Sequence, residues 1–128
     1  MILDTTFLID LHREAARSEP AKAFTFLERN ADAPMRISIV TYAEFAEGFS
    51  AEFYDRFLEL VSPYEVVDVS KLIAWRYAQL SRDLRKQGSR IGDNDLWIAA
   101  TAIESGVPLV TRDNRHFPRV AGLTLLSY

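Results

Sequence analysis

The chain has 128 residues, 48% hydrophobic and 26% charged, a balance that supports a buried core without crosslinks and excludes the low-hydrophobicity, high-charge composition of disorder. It contains no cysteine, which excludes disulfides, thiolate metal sites and cysteine nucleophiles, so any metal must be held by oxygen or histidine. A net charge of −3 speaks against nucleic-acid binding by bulk electrostatics, and no apolar run approaches the ~20 residues that span a bilayer.

The start, MILDTTFLIDLHRE, has an acid at position four and no basic leader, which predicts a cytoplasmic chain without a signal peptide, folded as a single domain over residues 1–128. Residues 1–4 form a first strand, and Thr6 caps a helix carrying Phe7, Leu8 and Leu11. Ser18-Glu19-Pro20 reads as the start of a second helix running to about Asn30. RISIV at 36–40 is a strand. From Thr41, Tyr42, Phe45, Phe49, Phe53 and Phe57 recur at helical spacing, with a break at Gly48 or Ser50. YEVVDV at 64–69 is another strand, and a Ser70-capped amphipathic helix runs through Lys86 and stops near Gly88. The loop GSRIGDND leads into a helix, LWIAATAIES, ending at Gly106, whose Ala99, Ala100 and Ala102 permit close packing. VPLVT at 107–111 and LTLL at 123–126 complete the strands. Strands interleaved with helices predict an α/β fold with a central parallel sheet of four to five strands flanked by helices.

In such sheets the strands release the chain at their carboxyl ends into one crevice. Asp4 closes the first strand, Glu44 sits a short turn beyond RISIV, and Asp113 follows VPLVT by two residues. Asp95 joins them if its helix begins at the same edge. Gathered carboxylates suit a hard divalent cation such as Mg2+ or Mn2+, because an empty cluster of like charges is unfavourable. Each acid also has an ordinary reading. Asp4 suits a helix cap, Glu44 forms a T-Y-A-E capping box with Thr41, Asp93 and Asp95 suit a helix start, and Asp113 suits a turn.

Three blocks, ILDTTFLID, ISIVTYAEFAEG and IGDNDLWIAATAIESGVPLVTRDNRHFPRVAGLTLL, in this order and spanning nearly the whole chain, resemble the PIN-domain family, and within it the VapC-like toxins of toxin–antitoxin pairs. The resemblance implies a PIN-like fold and a metal-dependent endoribonuclease that hydrolyses RNA by metal-activated water. It implies Asp4, Glu44, Asp95 and Asp113 as catalytic and metal-binding residues and Mg2+ as cofactor, with Mn2+ as a substitute. Relatives differ on whether the fourth acid stands at the TRD position, here Asp113, or three residues later, where this chain has His116. Asp93 has no fixed counterpart and is an outer-shell candidate. Thr6 departs from the family's DTN or DTS opening yet keeps a hydroxyl near the metal. The resemblance further implies a VapB-like antitoxin, whose C-terminal segment enters a groove, and a homodimer.

Other residues carry less. The cationic clusters Arg82, Arg85, Lys86, Arg90 and Arg112, Arg115, His116, Arg119 read first as solvated faces, with Arg112 and Arg115 as phosphate contacts and His116 beside them. Neither His12 nor His116 has a second histidine at metal-ligand spacing. The aromatic row from Tyr42 to Phe57 reads as core, an uncovered part of it offering a partner groove. A metal-dependent DNA nuclease, a generic PIN nuclease for RNA processing and a non-catalytic binding module are the competing readings.

Overall fold

The computed structural model describes residues 1–18 and 21–128. Five short strands, β1 (Ile2–Leu3), β2 (Arg36–Ser38), β3 (Glu65–Val67), β4 (Leu109–Val110) and β5 (Leu125–Leu126), form one sheet in the order β3-β2-β1-β4-β5. All neighbours are parallel, with Leu3 opposite Ile37 on one side and Val110 on the other. Six α-helices connect them: α1 (Thr5–Arg17), α2 (Lys22–Arg29), α3 (Ile39–Ala46), α4 (Tyr54–Val61), α5 (Lys71–Lys86) and α6 (Asp93–Glu104).

Two or three residues per strand make few ladder bonds, so the fold is held by packing on the two faces of the sheet. Alternation along each strand divides the core. Ile2 and Leu109 face α5 and α6 with Ile98, Ala99 and Phe117, while Leu3 and Val110 face the other helices with Phe7, Ile37, Phe45 and Phe57. Each such side chain contributes ~1.5–3 kcal/mol on burial. Ala99, Ala100 and Ala102 are wholly buried, and their small size lets α6 lie against α5 as the sequence predicts.

Local chemistry revises three boundaries. Asp4, not Thr6, caps α1: its carboxylate accepts from the Thr5 backbone N–H at 2.8 Å. The RISIV strand ends at Ser38, whose hydroxyl oxygen accepts from the Thr41 N–H at 2.9 Å and turns the chain into α3 two residues early. Thr41 therefore lies inside the helix, and T-Y-A-E is not a capping box. Of the predicted Ser18-Glu19-Pro20 signal, Glu19 and Pro20 lie outside the described residues; α2 begins at Lys22 after Ala21. The Ser70 cap and the stop at Gly88, whose φ of 65° suits glycine, stand where predicted. Among the described residues no helix is long and apolar enough to cross a membrane.

The strand order creates the site. From β1 the chain moves outward through β2 to β3, then returns across the sheet to β4 and continues outward to β5, so β1 and β4 flank a topological switch point. Crevices outside the carboxyl ends at such points bind ligands. Because α6 feeds into β4 through a short turn, it runs back along the sheet, and its first turn lies at that same edge.

Candidate metal centre

Asp4 leaves β1 at the switch point and is 97% buried, its relative exposure being 3%. It accepts three hydrogen bonds: the Thr5 N–H on Oδ1, and on Oδ2 the hydroxyls of Thr6 at 2.7 Å and Thr111 at 2.8 Å. Thr111 comes from the end of β4, so a strand neighbour orients this carboxylate from across the switch point. Burial raises the Asp4 pKa; the three donors oppose the shift, and the charge of Glu44 adds to it.

Glu44 lies in α3, six residues after the Ser38 cap. Its Oε1 accepts the Thr5 hydroxyl at 2.6 Å and its Oε2 the Asn94 amide at 3.2 Å. Thr5 therefore binds Asp4 through its N–H and Glu44 through its hydroxyl, fixing the two carboxylates relative to each other. Asn94 ties α6 to the same pair.

Asp95 occupies the first turn of α6, after Gly92. Burial first, then the charges of Asp4, Glu44 and Asp113, push its pKa up to about 6, with His116 opposing. Among the described residues none donates a hydrogen bond to its carboxylate. The other three predicted acids thus sit within electrostatic reach of Asp95, which alone among the four precedes a strand instead of following one.

Asp113 differs in kind. Its Oδ1 accepts the backbone N–H groups of Arg115 at 2.8 Å and His116 at 2.9 Å, and its Oδ2 faces the His116 Nδ1 at 2.7 Å. Burial pushes its pKa up, but the hydrogen bonds of His116 and Arg115 outweigh it and the net shift is downward. One ligand atom each of Asp95, Asp113 and His116 lie within 4.8 Å of one another.

The donor set fits a divalent cation: carboxylate oxygens with a shared repulsion and one acid that has no donor among the described residues. Other sequence candidates fall elsewhere. Asp93 is exposed and accepts from the Tyr77 hydroxyl at 3.1 Å, Tyr77 itself stacking on Trp97 at 3.9 Å. Arg112 pairs with Asp10 at 2.7 Å, an acid that also accepts the Tyr128 hydroxyl. His12 packs against Phe45 and Phe49. Phe45 and Phe57 are core, as the aromatic row predicts, whereas Phe53 is 54% exposed. An apolar cleft of about 400 Å³ lies between α1, α2 and α4, lined by Leu8, Leu11, Phe24, Leu27, Phe45 and Tyr64 among others. Sequence reasoning did not single out Thr5, Asn94 and Thr111, because a threonine at a strand or helix end is ordinary composition until its partner is known.

Comparisons with known proteins bear on the family and the fold. A family model described as PIN domain matches residues 1–123. Ribonuclease VapC1 of Methanocaldococcus jannaschii is 31% identical over all of this chain and 86% of its own length. Ribonuclease VapC1 of Haemophilus influenzae strain R2866 is 30% identical over 95% of this chain and 92% of its own. Among solved structures, VapBC2 from Rickettsia felis bound to a DNA fragment from its promoter superposes with a TM-score of 0.83 at 28% identity, covering 99% of this chain and 97% of that one. VapBC-1 from nontypeable Haemophilus influenzae superposes at 0.82 and 26%, covering 98% and 96%.

Proposed function

This chain belongs to the PIN-domain family, and from that premise we propose that it is a metal-dependent endoribonuclease, the toxin of a VapBC-type pair. The observation that carries the reading is Asp95, a half-buried carboxylate with three other acids near it and, among the described residues, no hydrogen-bond donor of its own. Such a group has a reason to exist where a cation joins it.

Asp4, Glu44, Asp95 and Asp113 would hold Mg2+, or Mn2+ in its place, directly or through water. The bound ion supplies the Lewis acidity that activates a water for in-line attack on a phosphodiester and stabilises the leaving oxygen. The protein's part is orientation. Thr6 and Thr111 fix the Asp4 carboxylate, and Thr5 and Asn94 fix Glu44, so the acids need little rearrangement when charge arrives. The N-termini of α1, α3 and α6 all point to this edge and favour negative charge there.

The names of the relatives support RNA as substrate and a VapB-like antitoxin as partner. The apolar cleft between α1, α2 and α4 supports the partner reading, as a seat for an antitoxin's C-terminal segment. Leu72 and Trp75, 69% and 66% exposed on α5, support a homodimer. The decisive experiment incubates the purified chain with matched single-stranded RNA and DNA, in Mg2+, Mn2+ or EDTA. RNA cleavage that needs metal and fails in Asp4→Asn is expected. Preferential DNA cleavage supports the DNA nuclease, and no cleavage of either supports the binding module.

A further inference from the structure

The four acids are not equally available to a cation. Asp113 has three of its roughly four lone-pair sites filled from within its own turn: two backbone N–H groups on Oδ1 and the imidazole on Oδ2. A fourth contact, from its own N–H to the Thr111 hydroxyl at 3.0 Å, anchors that turn to the residue that orients Asp4. The carboxylate is thus built into the loop, and the His116 ring that it holds lies, like the carboxylate itself, within reach of Asp95.

The geometry points to His116 as a direct donor to the cation, through the imidazole nitrogen that Asp113 leaves free, with Asp113 as its positioning residue. A neutral imidazole has one N–H and one lone pair. Donation from Nδ1 to the Asp113 carboxylate places the lone pair on Nε2 and fixes the tautomer, the arrangement by which carboxylates prepare metal-binding histidines. The ring is not packed in the core: its side chain is 42% accessible. One ring nitrogen lies within 4.8 Å of a carboxylate oxygen of Asp95, the acid with no donor among the described residues. The other histidine, His12, is engaged with Phe45 and Phe49 and is not part of this cluster.

The consequence is selectivity. An all-carboxylate site suits Mg2+, whereas one imidazole among carboxylates shifts preference toward Mn2+, Co2+, Ni2+ and Zn2+. This inference rests on the metal-dependent reading above, and the test separates the two. Mn2+ is titrated into the full chain, free Mn2+ is counted by its solution resonance, and the bound ion is examined by pulsed electron paramagnetic resonance for coupling to 14N. The wild type is expected to show imidazole coupling. His116→Ala is expected to lose it while still binding Mn2+, about tenfold more weakly. Asp113→Asn keeps a turn-forming oxygen but faces the ring with an N–H, which moves the ring proton to Nε2; coupling is expected to vanish with little change in metal-free melting temperature. His116→Asp is expected to lower the ratio of Ni2+ to Mg2+ affinity at least about tenfold. It also serves as the folded comparison if the alanine variant does not fold. Bound Mn2+ without nitrogen coupling, or coupling that survives loss of the His116 ring, overturns the inference and leaves the metal reading standing. No Mn2+ binding at all overturns both.

Discussion

Replacing Asp95 by asparagine is expected to stabilise the metal-free protein. With its pKa held at about 6 against the ordinary 3.8, ionising Asp95 costs the folded state at most ~3 kcal/mol. The side chain is only about half-buried, so solvent screening reduces this to roughly 1–1.5 kcal/mol. Asparagine gives up the interaction of a charge with the α6 N-terminus, ~0.3–1 kcal/mol, leaving a net gain of up to roughly 1 kcal/mol. For a chain of this size that is up to about 5 °C in melting temperature. The sign with pH follows from the upward shift. As pH rises from near 4 to above 6, the unfolded chain ionises Asp95 before the folded one does, so the wild type loses stability across that window. The variant's advantage is therefore expected at pH 7.5 in EDTA and absent near pH 4. Circular-dichroism melts at the two pH values check it. With millimolar Mn2+ the order at pH 7.5 is expected to reverse. A variant more than about 1 kcal/mol less stable in EDTA at pH 7.5 would refute the reasoning and restore Asp95 to a helix-start role.

Other outcomes follow from the same geometry. Mn2+ is expected to raise the wild-type melting temperature by an amount that grows with concentration, ~2.7 kcal/mol at one hundred times the dissociation constant, and to leave Asp4→Asn nearly unmoved; calorimetry at several concentrations reads this. Thr111→Val removes a donor from the charged Asp4 and is expected to cost ~1.5–3 kcal/mol by urea unfolding, with cleavage reduced about 10–100-fold. Ala100→Leu forces a larger side chain into the wholly buried face of α6 and is expected to cost ~1–3 kcal/mol by the same method.

Much of this is legible in the sequence. Short apolar runs separated by helical spacing predict a parallel sheet of four to five strands, of which five form, and acids just past strand ends predict a crevice. What sequence spacing left open was Asp95, which precedes a strand instead of following one. Topology resolves it: a helix that feeds directly into a parallel strand must start at the opposite edge, where the other acids are. The capping box at Thr41 and Glu44 misled because its pattern is real but its register is not. Ser38, three residues earlier, captured the Thr41 N–H first, leaving Glu44 free for Thr5 and Asn94. Hydroxyl–carboxylate pairs that join residues 4 and 111, or 5 and 44, have no local signature at all.

Those pairs also explain how four carboxylates can share an edge. Asp4 has three donors, Glu44 two, and Asp113 its own turn, so most of the negative charge is stabilised one residue at a time. The remaining repulsion is concentrated on Asp95, in the first turn of α6, where the positive end of the helix offsets part of it. In a site built this way hydrogen bonds within the protein orient the acids, and a cation would relieve a single residue. Metal should then couple to stability chiefly through Asp95, while the threonines govern how well the bound site performs.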